Sequence, residues 1–350
     1  MFFSANKVLG LDIGSSSIKV AELDVSKSGA KLVNFGMIQT PPNSINGGDI
    51  ADVSSLAVAI KTVCAEIKAK RKNAAVGMFG TAVIVKKITI PRIDLKLVNE
   101  QVKWEAEQYI PFDVNSISLA HHVINPKEAS ETMDILLIAA QNELVAEYYQ
   151  VVQNADLKMG VLDVSAFALA NVFEFNYGRP EGQAVGLINV GSAITNFVVV
   201  ANGEVVFCRD MPIGGQNYTN DIHKEMGVSL GEAESLKLSA ASGGAVPDEV
   251  HSVLSSTTEV LSEEIRNSFD FFAGSSGGLN ISQVYYTGGA AATPGLIRNL
   301  SQATRLNFEY LNPCQRVVSG NKKISTMYME QIAPFCAVAF GLGLRKLGDG

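Results

Sequence analysis

A chain of 350 residues, 47% hydrophobic and 18% charged, has apolar side chains for a substantial core and length for about two domains. Its formal net charge of −7 denies it the basic face that nucleic-acid binding needs and bears mainly on solubility. Cys64, Cys208, Cys314 and Cys336 are too scattered for a Cys-x-x-Cys zinc pair or a disulfide framework, which leaves buried free thiols of a reducing compartment.

Residues 1–7 lack a basic segment followed by a sustained apolar core, so no secretory signal is visible and a cytoplasmic protein is expected. An apolar run then reaches Asp12, turns at Gly14 through Ser15, Ser16 and Ser17, and resumes as an alternating run from Ile18 to Leu23. That is the pattern of a β-hairpin with a polar tip. Gly14 admits close backbone approach, the serines offer amide and hydroxyl donors, Lys19 adds a cation, and Asp12 can hold a hydrated divalent metal. The set suits a polyphosphate, although Asp-x-Gly-Ser is also ordinary turn chemistry.

A third strand over 31–40 ends at Pro41 and Pro42. A helix follows, capped by Asp52 or Ser54, with Leu56, Ile60, Val63, Cys64 and Ile67 at helical spacing. Residues 74–79 read as a short buried strand. From about residue 81 the texture becomes a small α+β insertion, with strands over 83–90, 117–124 and 133–140 and helices over about 94–109 and 143–155. In the first of these helices Leu95, Val98, Val102, Ala106 and Tyr109 form one apolar stripe. Trp104 lies off that stripe beside Leu97, where it either covers a neighbouring strand, the commoner arrangement, or meets something else. His121 and His122 are adjacent on a strand and point to opposite faces, which argues against a two-histidine metal site.

The second half opens with a strand over 160–164 and a helix over 165–175 for which Ser165 is the expected cap. Asp163 can cap as well, or from a strand end beside a nucleotide cleft it can orient an attacking water. No charge falls between Glu181 and Glu204, but its polar interruptions and its Val, Ile and Thr content favour two buried strands joined at Gly191 over a membrane span. This stretch echoes the first hairpin. Ile-Asn-Val-Gly-Ser at 188–192 answers Leu-Asp-Ile-Gly-Ser at 11–15, an offset of 189 − 12 = 177 residues from Asp12 to Asn189. Two related domains, each supplying a phosphate-sized turn (here Gly191 and Ser192), would face each other as a clamp.

Gly214 and Gly215 then open a helix whose first amides can meet phosphate. Glu234 and Lys237, three apart on one helix face, read by their spacing alone as an exposed pair. Gly288 and Gly289, followed by Ala290, end a strand with room for a flat base, and Thr293 and Pro294 read as cap and first residue of the next helix. The sequence contains neither a Gly-x-x-x-x-Gly-Lys-Ser/Thr loop nor Gly-x-Gly-x-x-Gly.

The paired hairpins and the glycine-led turns, in this order, resemble the phosphate and adenosine motifs of the actin-like ATPase superfamily. Within it, Leu-Asp-Ile-Gly-Ser-Ser-Ser-Ile-Lys-Val at 11–20, Tyr-Ile-Pro-Phe-Asp at 109–113, Asp-Val-Ser-Ala-Phe-Ala-Leu-Ala-Asn at 163–171 and Gly-Glu-Ala-Glu-Ser-Leu-Lys at 231–237 resemble the PilM family of type IV pilus assembly proteins, relatives of the cell-division protein FtsA. The resemblance covers nearly the whole chain. It implies an α/β, actin-like (ribonuclease H-like) two-domain fold with an FtsA-type 1C subdomain inserted in the first half. Subdomain 1A would span 1–80 and resume at 161–182, with 1C at 81–160. Domain 2 would span 183–325, with a 2B insertion at about 223–282, and a C-terminal helix over 326–350 would return to 1A.

The resemblance further implies ATP and Mg²⁺ as ligands. Asp12 would hold the metal through water, and Gly14, Ser15, Ser16, Ser17, Lys19, Asn189, Gly191, Ser192, Gly214, Gly215, Glu234, Lys237, Gly288, Gly289 and Ala290 would surround the nucleotide, with Asp163 as the catalytic candidate. It implies as partner the N-terminal cytoplasmic peptide of the inner-membrane protein PilN, held between 1A and 1C. The strand at 83–90 and the helix at 94–109, with Trp104, are the candidate contacts. Other pilus assembly proteins would join it at the inner face of the inner membrane, with membrane association indirect. FtsA-like chains usually end in a membrane-binding amphipathic helix, whereas residues 335–347 read as an apolar core helix and three residues, so FtsA itself is not expected. Asn189 stands where many actin-like ATPases carry aspartate, so the expectation is nucleotide binding with at most slow hydrolysis. A small-molecule kinase and a filament-forming cytoskeletal ATPase are the alternatives on this fold; no sugar-kinase signature is visible, and the sequence is silent on filaments.

Overall fold

The computed structural model describes residues 6–124, 126 and 130–349. Residues 1–5, on which most of the signal-peptide reading rests, and part of the charged loop before Glu131 lie outside them. The first half runs β1 (Leu9–Ile13), β2 (Ser17–Ser26), β3 (Gly29–Gln39), β4 (Ile45–Asn46), β5 (Asp49–Ile50), α1 (Val53–Glu66), β6 (Asn73–Met78), β7 (Val83–Pro91), α2 (Val98–Tyr109), β8 (Ile117–Ile124), β9 (Thr132–Gln141), α3 (Asn142–Asn154), β10 (Lys158–Val164) and α4 (Ser165–Tyr177). The second runs β11 (Ala184–Val190), β12 (Thr195–Ala201), β13 (Glu204–Met211), α5 (Gly215–Met226), α6 (Leu230–Ala241), α7 (Asp248–Ser275), β14 (Ile281–Thr287), α8 (Leu296–Thr304), β15 (Phe308–Tyr310), β16 (Val317–Ser319) and α9 (Thr326–Gly343).

The repeat in the sequence is a repeat of topology. One sheet is ordered β10-β6-β1-β2-β3-β16 and another β13-β12-β11-β14-β15. In each, a hairpin (β1–β2 or β11–β12) extends antiparallel to a third strand and, on its other side, parallel to two further strands. The uncharged stretch is therefore β11 and β12, buried throughout except at Asn189 and the turn after Val190. Among the described residues no helix is long and apolar enough to cross a membrane.

The two sheets sandwich α4 and α9. One buried cluster joins Leu23 and Leu32 of the first sheet, Leu187 and Val198 of the second, Leu169 and Phe173 of α4, and Ala337 and Phe340 of α9. The layer closes only because glycines let backbones touch. A Cβ on Gly341 would lie 2.5 Å from Ala168 C, and one on Gly10 would lie 2.6 Å from Gly343 N, both far inside van der Waals contact. Helices α1 and α3 cover the outer face of the first sheet, and α5, α7 and α8 pack on the second. A third sheet, β7-β9-β8, carries α2 on one face through Val98, Val102 and Ala106.

Several local expectations need correction. The helix expected from residue 94 begins at Val98, because Asp94 closes a turn by accepting Lys96 N–H (2.9 Å). Leu95, ahead of the helix, is consequently exposed, and Tyr109 leaves the stripe to lie under Lys86 Nζ, 4.6 Å from its ring centre. Trp104 covers no strand and is 69% exposed. Ser165 makes no capping bond; its buried Oγ has no partner and faces Gly77. Thr293 does not cap α8, which starts at Leu296 after Gly295; its Oγ1 instead donates to Ala290 O (2.8 Å) to close the short turn Gly289–Ala292. Asp52, rather than Ser54, caps α1 by accepting Ser55 N–H (2.9 Å).

Candidate nucleotide site

The first hairpin turns as the sequence implies. Gly14 N–H donates to Ser17 O (3.2 Å), Thr40 Oγ1 donates to Gly14 O (2.6 Å), and Thr40 N–H reaches Ser16 O (3.0 Å). Asp12 and Lys19 are cross-strand partners, and Lys19 Nζ lies 3.1 Å from Asp12 Oδ2. Both side chains are largely buried. A Cβ on Gly14 would lie 3.2 Å from Lys19 Nζ, so the glycine keeps a cradle open beside the ion pair. Ser15, half-buried, and Ser16, exposed, form the tip of that cradle, with Ser17 at the start of β2.

The second hairpin repeats this turn, with Gly191 N–H donating to Ile194 O (3.0 Å). Here the first amides of α5 are engaged with protein: Gly215 N–H donates to Gly191 O (2.9 Å) and Gln216 N–H to Ser192 O (2.8 Å). Gly214 is required by that contact, since a Cβ there would lie 2.6 Å from Ser192 O. The helix start therefore braces the 191–192 turn, in place of presenting these two amides to phosphate. Lys237 Nζ completes the floor, bonding Gly215 O (3.0 Å), Thr219 Oγ1 (2.8 Å) and Glu234 Oε2 (2.7 Å), and Thr219 Oγ1 bonds Glu234 Oε2 as well. The Glu234 and Lys237 pair is thus tied to the glycine turn, and Lys237 is mostly buried.

The turn after β14 meets both features. Gly288, at φ +102°, has its Cβ position 2.7 Å from Asn189 Oδ1, and the Cβ position of Gly215 lies 3.0 Å from Ala290 Cβ. Side chains at 288 or 215 would push the turn off the hairpin. The space beside Gly289 is not left vacant for a base: the edge of the Phe335 ring stands 2.8 Å from its Cβ position. No periodicity in the sequence signals this contact, because Phe335 belongs to α9, 46 residues further on (335 − 289). Helix α9 also lies near the first hairpin. Burial pushes the Cys336 thiol well above its ordinary value, and the charge of Lys19 pulls the other way.

Asn189 heads a line of hydrogen bonds that sequence reasoning missed. Its Nδ2 donates to Asn196 Oδ1 (2.9 Å), Asn196 Nδ2 donates to Asp210 Oδ1 (2.7 Å), and Gly80 N–H donates to Asp210 Oδ2 (2.9 Å). Burial pushes the Asp210 carboxyl up, while the Gly80 amide and Asn196 hold it down. The line ends where the first half passes into the third sheet. A second tie, His122 Nε2 to Glu204 Oε2 (2.7 Å), holds that sheet to β13.

Asp163 is paired with Gly77 of β6, and continuing the β1–β6 register by one residue brings Asp12 level with the same glycine. The two carboxylates therefore lie in one row and on one sheet face, two strands apart. Asp163 Oδ1 accepts Val164 N–H (2.8 Å) and Oδ2 lies 3.5 Å from Arg345 Nε. Burial raises its carboxyl above the usual range, opposed by Arg345 and the Val164 amide. The structure thus brings together residues 191–192, 214–215, 234, 237 and 288–290 in one constellation with Asn189, and sets Asp12 and Lys19 on the companion hairpin. Trp104 lies apart on the third sheet's helix.

The match that decides the family is a model described as Type IV pilus assembly protein PilM, which covers residues 10–347. The chain belongs to the PilM family. Among solved structures, the PilM-PilN type IV pilus biogenesis complex aligns with a TM-score of 0.87 and 27% identity, over 97% of this chain and 98% of that one. MreB5 of Spiroplasma citri bound to AMPPNP, at a TM-score of 0.52 and 12% identity over 97% and 95% of the two chains, shares the actin-like α/β fold. The cell-division protein FtsA of Bacillus subtilis (strain 168) is 22% identical over 256 residues, 65% of this chain and 57% of FtsA. This PilM-family chain therefore spans little more than half the length of that relative.

Proposed function

We propose that this PilM-family chain is a cytoplasmic, ATP-binding scaffold of the type IV pilus machine that holds the N-terminal tail of a PilN-type inner-membrane protein and joins the membrane only through such partners. The observation that supports it most is the alignment of 97% of the chain with a PilM-PilN complex at 27% identity, together with two hairpin turns of the same construction. In this reading residues 81–160 are the FtsA-type 1C subdomain, inserted between 1–80 and 161–182. Residues 183–325 are domain 2, with a 2B part near 223–282, and 326–350 return to 1A.

The nucleotide would lie between the hairpins, with its phosphates at Gly14–Ser17 and Gly191–Ser192 and its nucleoside end toward Gly215, Glu234, Lys237 and Gly288–Ala290. Asp12 fits a magnesium ion held mainly by phosphate and water, because one hard carboxylate ligand suffices where phosphate oxygens and water supply the rest. The ion would neutralise phosphate charge. The chain's residues would bind and orient: Lys19 would offset the negative charge of Asp12 and of the phosphates, and the hydroxyls of Ser15 to Ser17 would donate. Asn189 supplies no negative charge, and Asp163, the water-orienting candidate, has its carboxylate turned to Arg345, so slow hydrolysis at most is expected.

A recess of about 410 Å³ suits the partner's tail. It is bordered by Ile50, Thr81, Ala82, Phe112 and Leu144, with Asp49, Glu143 and Glu147 at its rim. Burial, Glu143 and Asp49 all push the Glu147 carboxyl up, and a basic side chain on the peptide would relieve that repulsion. Trp104 is the second contact for pilus partners. Pulldown with an N-terminal PilN peptide tests the scaffold reading. Retention that falls on substituting Phe112 supports it, whereas no retention combined with sugar-dependent ATP consumption replaces it with a kinase.

A further inference from the structure

Phe335 has no part in the site as read from sequence, yet its placement is unusual for an aromatic residue of a core helix. Helix α9 is buried along most of its length, and its neighbours Cys336 to Gly343 are almost wholly enclosed. Phe335 itself is 40% exposed. It directly follows Pro334, whose ring lacks the amide donor a continuous helix needs. The edge of its ring stands against Gly289, in the turn that also touches Asn189 through Gly288 and Gly215 through Ala290. A partly exposed aromatic ring thus borders the same turn as the residues proposed for the phosphate and ribose sides.

From this juxtaposition we infer that Phe335 is a nucleotide-binding residue: the base of the bound nucleotide stacks on the open face of its ring. The inference rests on the nucleotide-binding reading above and adds to it the element that recognises the base. Gly289 then serves the ring more than the ligand, because a side chain there would displace Phe335 rather than the nucleotide. Stacking on an aromatic face is tolerant of base identity, so the residue confers affinity for a nucleoside over a bare polyphosphate, with little preference between purines. It also gives α9, the helix shared by the two sheets, a direct contact with the ligand.

The test compares binding of ATP, GTP and base-free ribose triphosphate by calorimetry in the presence of magnesium, for the unchanged chain and for Phe335→Ala, Phe335→Leu and Phe335→Tyr. Loss of a stacked base costs roughly ten-fold in affinity. Phe335→Ala and Phe335→Leu are therefore expected to weaken ATP and GTP about ten-fold and to leave ribose triphosphate unchanged, with Phe335→Tyr retaining the original affinities. Thermal unfolding of Phe335→Leu, which keeps most of the volume, separates a local effect from misfolding. If the unchanged chain binds ATP and the Ala and Leu variants bind it equally well, or if all three ligands weaken together, the inference is overturned and the site reading stands. If the unchanged chain binds no nucleotide, both fall.

Discussion

Gly341→Ala sets two effects of opposite sign against each other. Within a helix, alanine is favoured over glycine by about 1 kcal/mol, so on propensity alone α9 gains. The structure gives the reverse sign. The new Cβ would lie 2.5 Å from Ala168 C and 2.9 Å from Ala168 Cα, and closer still to the carbonyl oxygen. Carbon contacts need about 3.5 Å, so α4 and α9 must part by roughly 1 Å along a layer that both sheets bury. Overpacking of this kind costs about 1–3 kcal/mol, and a gap of that size forfeits a quarter to a half of the dispersion contacts along the seam. The net expectation is a loss of about 2 kcal/mol, or roughly 3 °C in melting temperature for a chain of 350 residues. Circular dichroism melting read at 222 nm, a conventional helix wavelength, measures it. A melting temperature equal to or above that of the unchanged chain would refute the close-packed helix pair at the centre of the fold.

Two further outcomes follow from the electrostatics. Lys7, by hydrogen bond and charge, and Arg71 hold the Asp24 carboxyl below its ordinary range against partial burial. The stabilisation is present above the unfolded value and is lost as pH falls through the folded one, so Asp24→Asn should lessen the fall in stability as pH drops below the ordinary carboxylate value. With half of the carboxylate exposed, the effect stays under about 1 kcal/mol; urea unfolding at several pH values should show identical slopes above pH 6. Asp210→Ala orphans the Asn196 amide and the Gly80 N–H. Each lost partner costs about 1–3 kcal/mol, and release of an enclosed carboxylate offsets part of this, so a net loss of about 2 kcal/mol is expected in urea unfolding. A loss below about 0.5 kcal/mol would mean the Asn189 to Gly80 line does not hold the halves together.

The hairpins were legible because strand periodicity and a glycine turn are local; that the echo of Asp12 in Asn189 belongs to a topology shared over five strands emerges only from the sheets. The polar partners around them were not legible. Asn196, Asp210 and Gly80 are brought to Asn189 by β-sheet pairing and by docking of the third sheet, and nothing in the residues flanking any of them specifies the others. Caps failed where a second local signal competed. Thr293 and Pro294 have the chemistry of a helix start, but Gly295 at φ +83° moves it two residues on, and Ser165 faces Gly77 because the α4–β6 packing turns it inward. The Phe335 ring beside Gly289 was not legible either, since only the tertiary fold delivers it there.

In the proposed function the two hairpins clamp a magnesium nucleotide for holding rather than turnover. Titration of ATP into the unchanged chain and into Asp12→Ala, with magnesium and with chelator, tests it most directly, with phosphate release followed on the same samples. Magnesium-dependent binding that Asp12→Ala weakens by about ten-fold or more is expected, in a variant that stays folded although its melting temperature falls because Lys19 loses its buried partner, with hydrolysis far slower than a typical enzyme rate of about 10 per second. Equal affinity in both proteins, or turnover at that rate, would contradict it.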